Sequence, residues 1–184
     1  PLPQPLSAKA PVWPAGVARH ICDSLDSTNA HAIRLAPSTA GPAWILAYEQ
    51  TAGKGRRARP WVSPRGNFHA TLLLHPKEPA AQVALRSFAA ALALRDALVA
   101  LTDRPEAFTL KWPNDVYWQQ KKLAGILIET SSINTIIGIG LNVKMPEEVG
   151  TEINQPWTDL HKILGTAPDR NLIAGLMISE LLTL

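Results

Sequence analysis

The chain has 184 residues, 46% of them hydrophobic and 18% charged, which is enough apolar material for one compact domain and too much for a disordered chain. The formal charge is only +3, a modest excess that fits a site for a small anion better than a broad nucleic-acid surface. The single cysteine, Cys22, excludes an internal disulfide and a cysteine-rich metal site, and its apolar neighbours mark it as a small core residue.

Residues 1–17, rich in Pro and Ala, read as an extended lead-in to a domain over 18–184. The lead-in lacks the basic start and apolar middle of a signal peptide, so a cytosolic protein is expected. The missing initiating Met points to a fragment or a processed form. Ala18–Leu25 reads as a short strand. Asp26-Ser27-Thr28-Asn29 then opens a helix to about Ala36, with Asp26 or Ser27 as its cap. Read blandly the tetrapeptide only caps; read functionally its hydroxyl and amide groups face a polar ligand.

After a loop at Pro37–Pro42, a strand at Trp44–Glu49 leads into the most unusual stretch of the chain, residues 49–61. Lys54, Arg56, Arg57 and Arg59 crowd together between Gly53 and Trp61, and no acidic residue occurs from Gln50 to Lys77. A loop this cationic repels itself, and it should order when an anion neutralises it. Gly53 and Gly55 let main-chain N–H groups approach a ligand closely. It is no P-loop, because no Ser or Thr follows Lys54.

A turn at residues 63–66 precedes a strand at Asn67–His75. The main helix follows from Pro79 to about Thr102, with Leu85, Phe88, Leu92 and Val99 as its expected core face and many alanines for close packing. Its most apolar stretch, residues 87–94, is bracketed by Arg86 and Arg95 and falls short of the roughly 20 apolar residues of a membrane span. His69 and His75 have no partner at metal-ligand spacing and read as structural or exposed. Phe108–Lys111 is a strand ending in Lys111-Trp112-Pro113-Asn114-Asp115. Val116–Gln119 and Lys122–Thr130 form a hairpin around Gln120-Lys121, and 131–134 turn the chain into a strand at Thr135–Val143. One face of that strand carries Ile137, Ile139, Leu141 and Val143. The other carries Gly138, Gly140 and Asn142, so either a ligand or a close-packed helix must lie flat on the backbone there, and the Asn142 amide favours a ligand. Loop, a short helix after Trp157, and a last helix from about Asp169 complete the chain.

Four pieces stand in one order and spacing: the Ser-Thr-Asn helix start, Gln50 with the glycine–arginine loop, Lys-Trp-Pro-Asn-Asp with Lys-Lys-Leu-Ala-Gly-Ile-Leu, and Gly-Ile-Gly-Leu-Asn-Val. Together they resemble the biotin protein ligases, the biotin–[acetyl-CoA-carboxylase] ligases, over about residues 20–184. The resemblance implies an α/β (α+β) fold, a mixed β-sheet with helices packed mainly on one face, related to class II aminoacyl-tRNA synthetases. It implies a two-step reaction: biotin and ATP give biotinyl-5′-AMP with Mg²⁺ assistance, and a lysine of a biotin carboxyl carrier protein, an acetyl-CoA carboxylase subunit, then takes the biotin.

By the same resemblance, Ser27, Thr28, Asn29 and Gln50 hold the ureido head, with Lys54, Gly55 and Arg56 closing over it. Lys122 neutralises the biotin carboxylate and the α-phosphate and, with Arg56, is catalytic. Arg56, Arg59, Trp61, Lys111, Asn114, Asp115 and Asn142 serve ATP: Trp61 stacks on the base, Asn142 hydrogen-bonds it, and Asp115 is a candidate Mg²⁺ ligand. The chemistry suits such residues, because a carboxylate and a triphosphate repel each other and the site must supply cations before they meet. Guanidinium groups bridge both kinds of oxygen.

Ala58 departs from the family's usual Gly and Lys54 from its frequent Arg. Neither the helix-turn-helix domain that precedes the catalytic region in some relatives nor the small C-terminal β-barrel is recognisable in the chain. A monomer or homodimer without membrane or nucleic-acid partners is expected. Three rivals remain at this level: a lipoate or octanoyl ligase or transferase on the same fold, a basic nucleic-acid-binding domain, and a ligand-binding module without catalysis.

Overall fold

A computed structural model describes residues 15–75, 80–130 and 134–182. Most of the lead-in, the start of the main helix and most of the 131–134 turn lie outside those residues. The core of the molecule is a mixed seven-stranded sheet in the order β1-β2-β3-β7-β6-β5-β4. The strands are β1 (Ala18–Cys22), β2 (Ala43–Ala47), β3 (Phe68–Leu74), β4 (Phe108–Lys111), β5 (Asp115–Trp118), β6 (Lys121–Thr130) and β7 (Thr135–Leu141). Only β1 and β2 run parallel; every other pairing is antiparallel.

Side-chain alternation sorts the two faces. Ile137, Ile139 and Leu141 of β7, with Ile126 of β6 and Val116 of β5, bury against α2 (Ala80–Thr102) and α5 (Arg170–Leu182). Among the described helices, α1 (Thr28–Leu35) lies on the opposite face, where its Ala32 packs with Ile45, Leu73 and Ile136 over the β1–β3 end. The rest of that face, over β7, β6 and β5, is left open by the helices, and the pocket described below lies there.

The main helix corrects one expectation. Among its described side chains Ala90, Ala91, Ala93, Leu94, Ala97 and Leu98 are buried and Val99 packs half-buried against the core, whereas Leu85, Phe88 and Leu92 are 62%, 43% and 48% exposed. The alanines decide the orientation, because a helix presenting methyl groups approaches the sheet more closely than one presenting leucines. The β5–β6 turn sits one residue earlier than expected, at Gln119-Gln120. Both residues have positive φ (45° and 67°), the sign pattern of a two-residue hairpin turn matched to strand twist. No helix among the described residues is long and apolar enough to cross a membrane.

Candidate active site

The floor is built where α1 meets the sheet. Ser27 caps α1 through Oγ, which accepts from Ala30 N at 3.5 Å. Gln50 Oε1 accepts from Thr28 N (2.8 Å) and Thr28 Oγ1 (3.0 Å), while its Nε2 donates to Ser63 Oγ at 2.8 Å. Thr71 Oγ1 has one proton for two neighbours, Thr28 Oγ1 at 2.8 Å and Asn29 Oδ1 at 2.7 Å. Asn29 Nδ2 donates to Leu127 O at 3.3 Å and Glu129 Oε2 at 2.8 Å. Asn29 is 5% exposed and its amide is committed within the protein, so it holds the floor in place. A Cβ on Gly138 would collide with Asn29, so this glycine clears room for a side chain of α1 and not for a ligand.

Gly140 and Gly125 answer the same question differently. They pair across β7 and β6, and Trp61 lies on both. A Cβ at Gly140 would overlap the indole, and one at Gly125 would stand 3.2 Å from it. The floor row ends at His69, paired with Gly140, whose imidazole burial holds at about 4; its Nε2 meets Pro64 O at 3.2 Å.

Residues 53–61 arch over this floor, held by main-chain bonds from Trp61 N to Gly53 O (2.9 Å) and Gly55 N to Arg59 O (2.8 Å). Gly53 is required by close approach, since its Cβ would stand 2.5 Å from Ser63 Oγ and Trp61 O. Gly55 needs no such freedom: its Cβ would meet only Arg59 O, at 3.6 Å. Arg56–Ala58 form a single 3-10 turn in which Arg57 and Ala58 both have φ near 56°. Lys54, Arg56, Arg57 and Arg59 are exposed.

Opposite the flap, Lys122 Nζ is 2.8 Å from Asp115 Oδ2 and 5.3 Å from the centroid of the Trp61 ring. A β-bulge explains how Lys122 faces the same way as Gly125, three residues on: Tyr117 pairs with Lys122 but Val116 with Ala124. Asn114 shapes the turn into β5, its Nδ2 donating to Ile126 O at 2.6 Å. Lys111 is exposed, with Nζ 5.2 Å from the Tyr117 ring centroid.

Two adjoining cavities result. One, of about 460 Å³, is lined by the Ser27–Asn29 turn, Gln50, the flap from Lys54 to Trp61, Lys111, Asn114, Asp115 and Lys122. The other, of about 300 Å³, is lined by Asn142, Glu152 and residues 153–155 and 157. Arg59, Pro60, Trp61, Lys122 and Gln155 wall both. Thirteen of the fourteen residues singled out from the sequence therefore line the first cavity, and the fourteenth, Asn142, lines the second.

Residues 22–145 match the model of the biotin/lipoate A/B protein ligase family. The chain belongs to that family. Among its relatives, the biotin–[acetyl-CoA-carboxylase] ligase of Paracoccus denitrificans is 48% identical over 130 residues, 68% of this chain and 54% of that protein. The bifunctional ligase/repressor BirA of Escherichia coli is 36% identical over 165 residues, 85% of this chain and 50% of that protein. The chain thus spans about half the length of these relatives. The biotin protein ligase of Leishmania major in complex with biotinyl-5-AMP superposes with a TM-score of 0.77 at 26% identity, covering 92% of this chain and 74% of that one. The biotin protein ligase of Aquifex aeolicus in complex with biotin and ATP gives 0.75 at 33%, covering 90% and 69%.

Within this family member, sequence reasoning missed Thr71, Glu129 and Ser63, which tie the floor together. Thr71 carried a readable signal as the one hydroxyl among the apolar residues of 70–74. Glu129 and Ser63 carried none, because their partners are distant in sequence.

Proposed function

We propose that this domain activates biotin with ATP as biotinyl-5′-AMP and passes the biotin to a lysine of a biotin carboxyl carrier protein, an acetyl-CoA carboxylase subunit. One observation carries the reading: a polar, hydrogen-bonded chamber and an amide-lined chamber meet at a junction walled by Lys122, Trp61 and Arg59. A ureido head suits the first, since Ser27, Thr28 and Gln50 present fixed donors and acceptors to a ring with two N–H groups and one carbonyl. A nucleobase suits the second, against Trp61 and Asn142. The carboxylate and the α-phosphate then meet at the junction.

There Lys122, with Arg56 and Arg59 from the flap, lowers the repulsion between the two anions. The carboxylate oxygen attacks the α-phosphorus and pyrophosphate leaves. The amine of the carrier lysine next attacks the acyl carbon, and AMP leaves with the electron pair of the broken C–O bond. Lys122 is not an unattended cation: Asp115 holds it at 2.8 Å, which aims it before substrate arrives. Flap closure keeps water from the anhydride.

Magnesium would shield the phosphate charge. Asp115 is the one carboxylate lining the first chamber, and no group of three His, Cys, Asp or Glu side chains able to hold a metal occurs among the described residues. A single Asp115 oxygen beside substrate phosphates and water matches the sparse protein ligation that magnesium accepts.

A cytosolic enzyme, monomeric or dimeric, fits these substrates. The lipoate alternative needs a long apolar slot, and the floor hydrogen bonds of Thr28 and Gln50 argue against one. The test is incubation with biotin, Mg·ATP and a carrier domain, with mass spectrometry of the carrier lysine and calorimetry comparing biotin with lipoate. Biotinylated lysine and a preference for biotin are expected. Absence of biotin-dependent exchange between ATP and pyrophosphate would sink the reading.

A further inference from the structure

The ladder between β7 and β6 ends at the pair Leu141–Ala124. Strand β6 continues back to Lys121 with β5 along one edge, so Lys122 would stand at a fraying corner if nothing took the place of β7. Residues 156–158 take that place. Lys122 N donates to Pro156 O at 2.9 Å, and Thr158 N donates to Lys122 O at 3.0 Å, a parallel bridge outside the named strands. Both polar groups of the Lys122 main chain are fixed by a segment that belongs to no strand of the sheet.

That segment is itself held at both ends. Asn142, 4% exposed, donates from Nδ2 to Thr158 O at 3.1 Å, and Leu160 N donates to Asn142 O at 3.1 Å. A carbonyl can only accept, so the amide orientation of Asn142 is determined and one of its two N–H donors is committed to Thr158. At the other end, Trp157 Nε1 donates to Gly150 O at 3.0 Å, its ring lies where a Gly150 Cβ would be, and Lys162 Nζ sits 4.1 Å from the ring centroid.

We propose that Asn142 is a positioning residue for Lys122, acting through Thr158 and the 156–158 segment. Asn142 and Trp157 line the second chamber, whereas the Lys122 side chain lines both and is 14% exposed at their junction. A ligand seated in the second chamber therefore bears on the same segment that registers the cation, and occupancy of one chamber is coupled to cation placement in the other. The inference rests on the reading of Lys122 as the partner of the biotin carboxylate.

The measurement is calorimetric binding of biotin to the whole chain with no nucleotide present, for the unsubstituted protein and for Asn142→Asp, Gly150→Ala, Lys122→Ala and the Asn142→Asp/Lys122→Ala pair. A residue whose only task is to meet the base leaves this affinity alone. A residue that places Lys122 does not, so Asn142→Asp is expected to weaken biotin binding on the order of 10-fold. On the Lys122→Ala background the same change is expected to add nothing. Gly150 lines neither chamber, and its Ala variant displaces the Trp157 ring; a smaller loss of the same sign is expected. It carries the test if Asn142→Asp fails to fold. Undiminished biotin affinity in a folded Asn142→Asp or Gly150→Ala protein would overturn the proposal, as would a full additional loss in the double variant. No biotin binding by the unsubstituted chain would overturn the ligase reading itself, a separable result.

Discussion

Thr28, Asn29, Gln50 and Thr71 on the floor of the first chamber are hydrogen-bonded to one another and to Ser63, the Leu127 carbonyl and Glu129. Across the chamber Arg56, Arg57 and Arg59 are exposed, and none lies within ion-pair distance of an acidic side chain among the described residues. The floor is held by side-chain hydrogen bonds within the protein, whereas among the described residues the flap arginines have no acidic partner and leave their charge open to the chamber. Changes to the internal floor groups, Asn29 and Thr71, should therefore be read in the stability of the fold, and changes on the flap in ligand affinity and retention with the melting point nearly unmoved.

The largest expected effect is on the flap. Arg56→Gly removes a guanidinium able to bridge carboxylate and phosphate, and a charge-assisted hydrogen bond contributes about 1.5–3 kcal/mol. Biotin should bind roughly 10- to 100-fold more weakly, and the adenylate should escape prematurely, while thermal unfolding matches the unsubstituted protein. Adenylate retention measured by filter binding decides it; undiminished retention would count against the flap as a clamp.

On the floor, His69 ties stability to pH. Its folded value is about 4 against 6.5 for the ordinary imidazole. The unfolded chain therefore takes up the proton first, and stability present above about pH 6.5 is lost as pH falls toward 4. The whole loss is bounded at about 3 kcal/mol, at about 1.4 kcal/mol for each pH unit between the two values. Denaturant midpoints should fall along that limb, and His69→Gln should flatten it; a limb unchanged by the substitution would place the acid sensitivity elsewhere. Two glycines sharpen the contrast further. Gly138→Ala drives a methyl into Asn29 and should cost about 1–3 kcal/mol of stability. Gly55→Ala in the flap meets only Arg59 O at 3.6 Å and should leave the melting point where it was.

The same contrast explains what could be read from the sequence. Local signals survived well: the Ser27 cap, the β5–β6 hairpin to within one residue, the period-two alternation of β7 and the cationic loop all depend on neighbours in the chain. The glycine face of β7 was legible as a cleared surface, but what it was cleared for was not. Gly138 receives Asn29 from a helix more than a hundred residues earlier, and Gly140 receives Trp61. The α2 face was misread because apolar periodicity names a stripe of leucines without showing that an alanine stripe packs closer. Lys122 was picked out from its motif, yet its partner Asp115 and the bulge that aims it depend on strand register, which composition does not encode.

The smallest effect is at Ala58, where the flap carries a side chain at φ 56° next to Arg57 at the same angle. A left-handed alanine is strained by about 1 kcal/mol relative to glycine, and Ala58→Gly removes that strain from this conformation. Glycine also widens the conformations open to an unliganded flap, which opposes the gain by about 0.4–1 kcal/mol. The two effects leave a net of about 0–0.6 kcal/mol in favour of the flap conformation seen here. Adenylate should dissociate at most about 3-fold more slowly from Ala58→Gly, with an unchanged melting point. Faster dissociation would mean that the closed flap over ligand does not keep this left-handed turn, and that its clamping geometry differs from the one seen here.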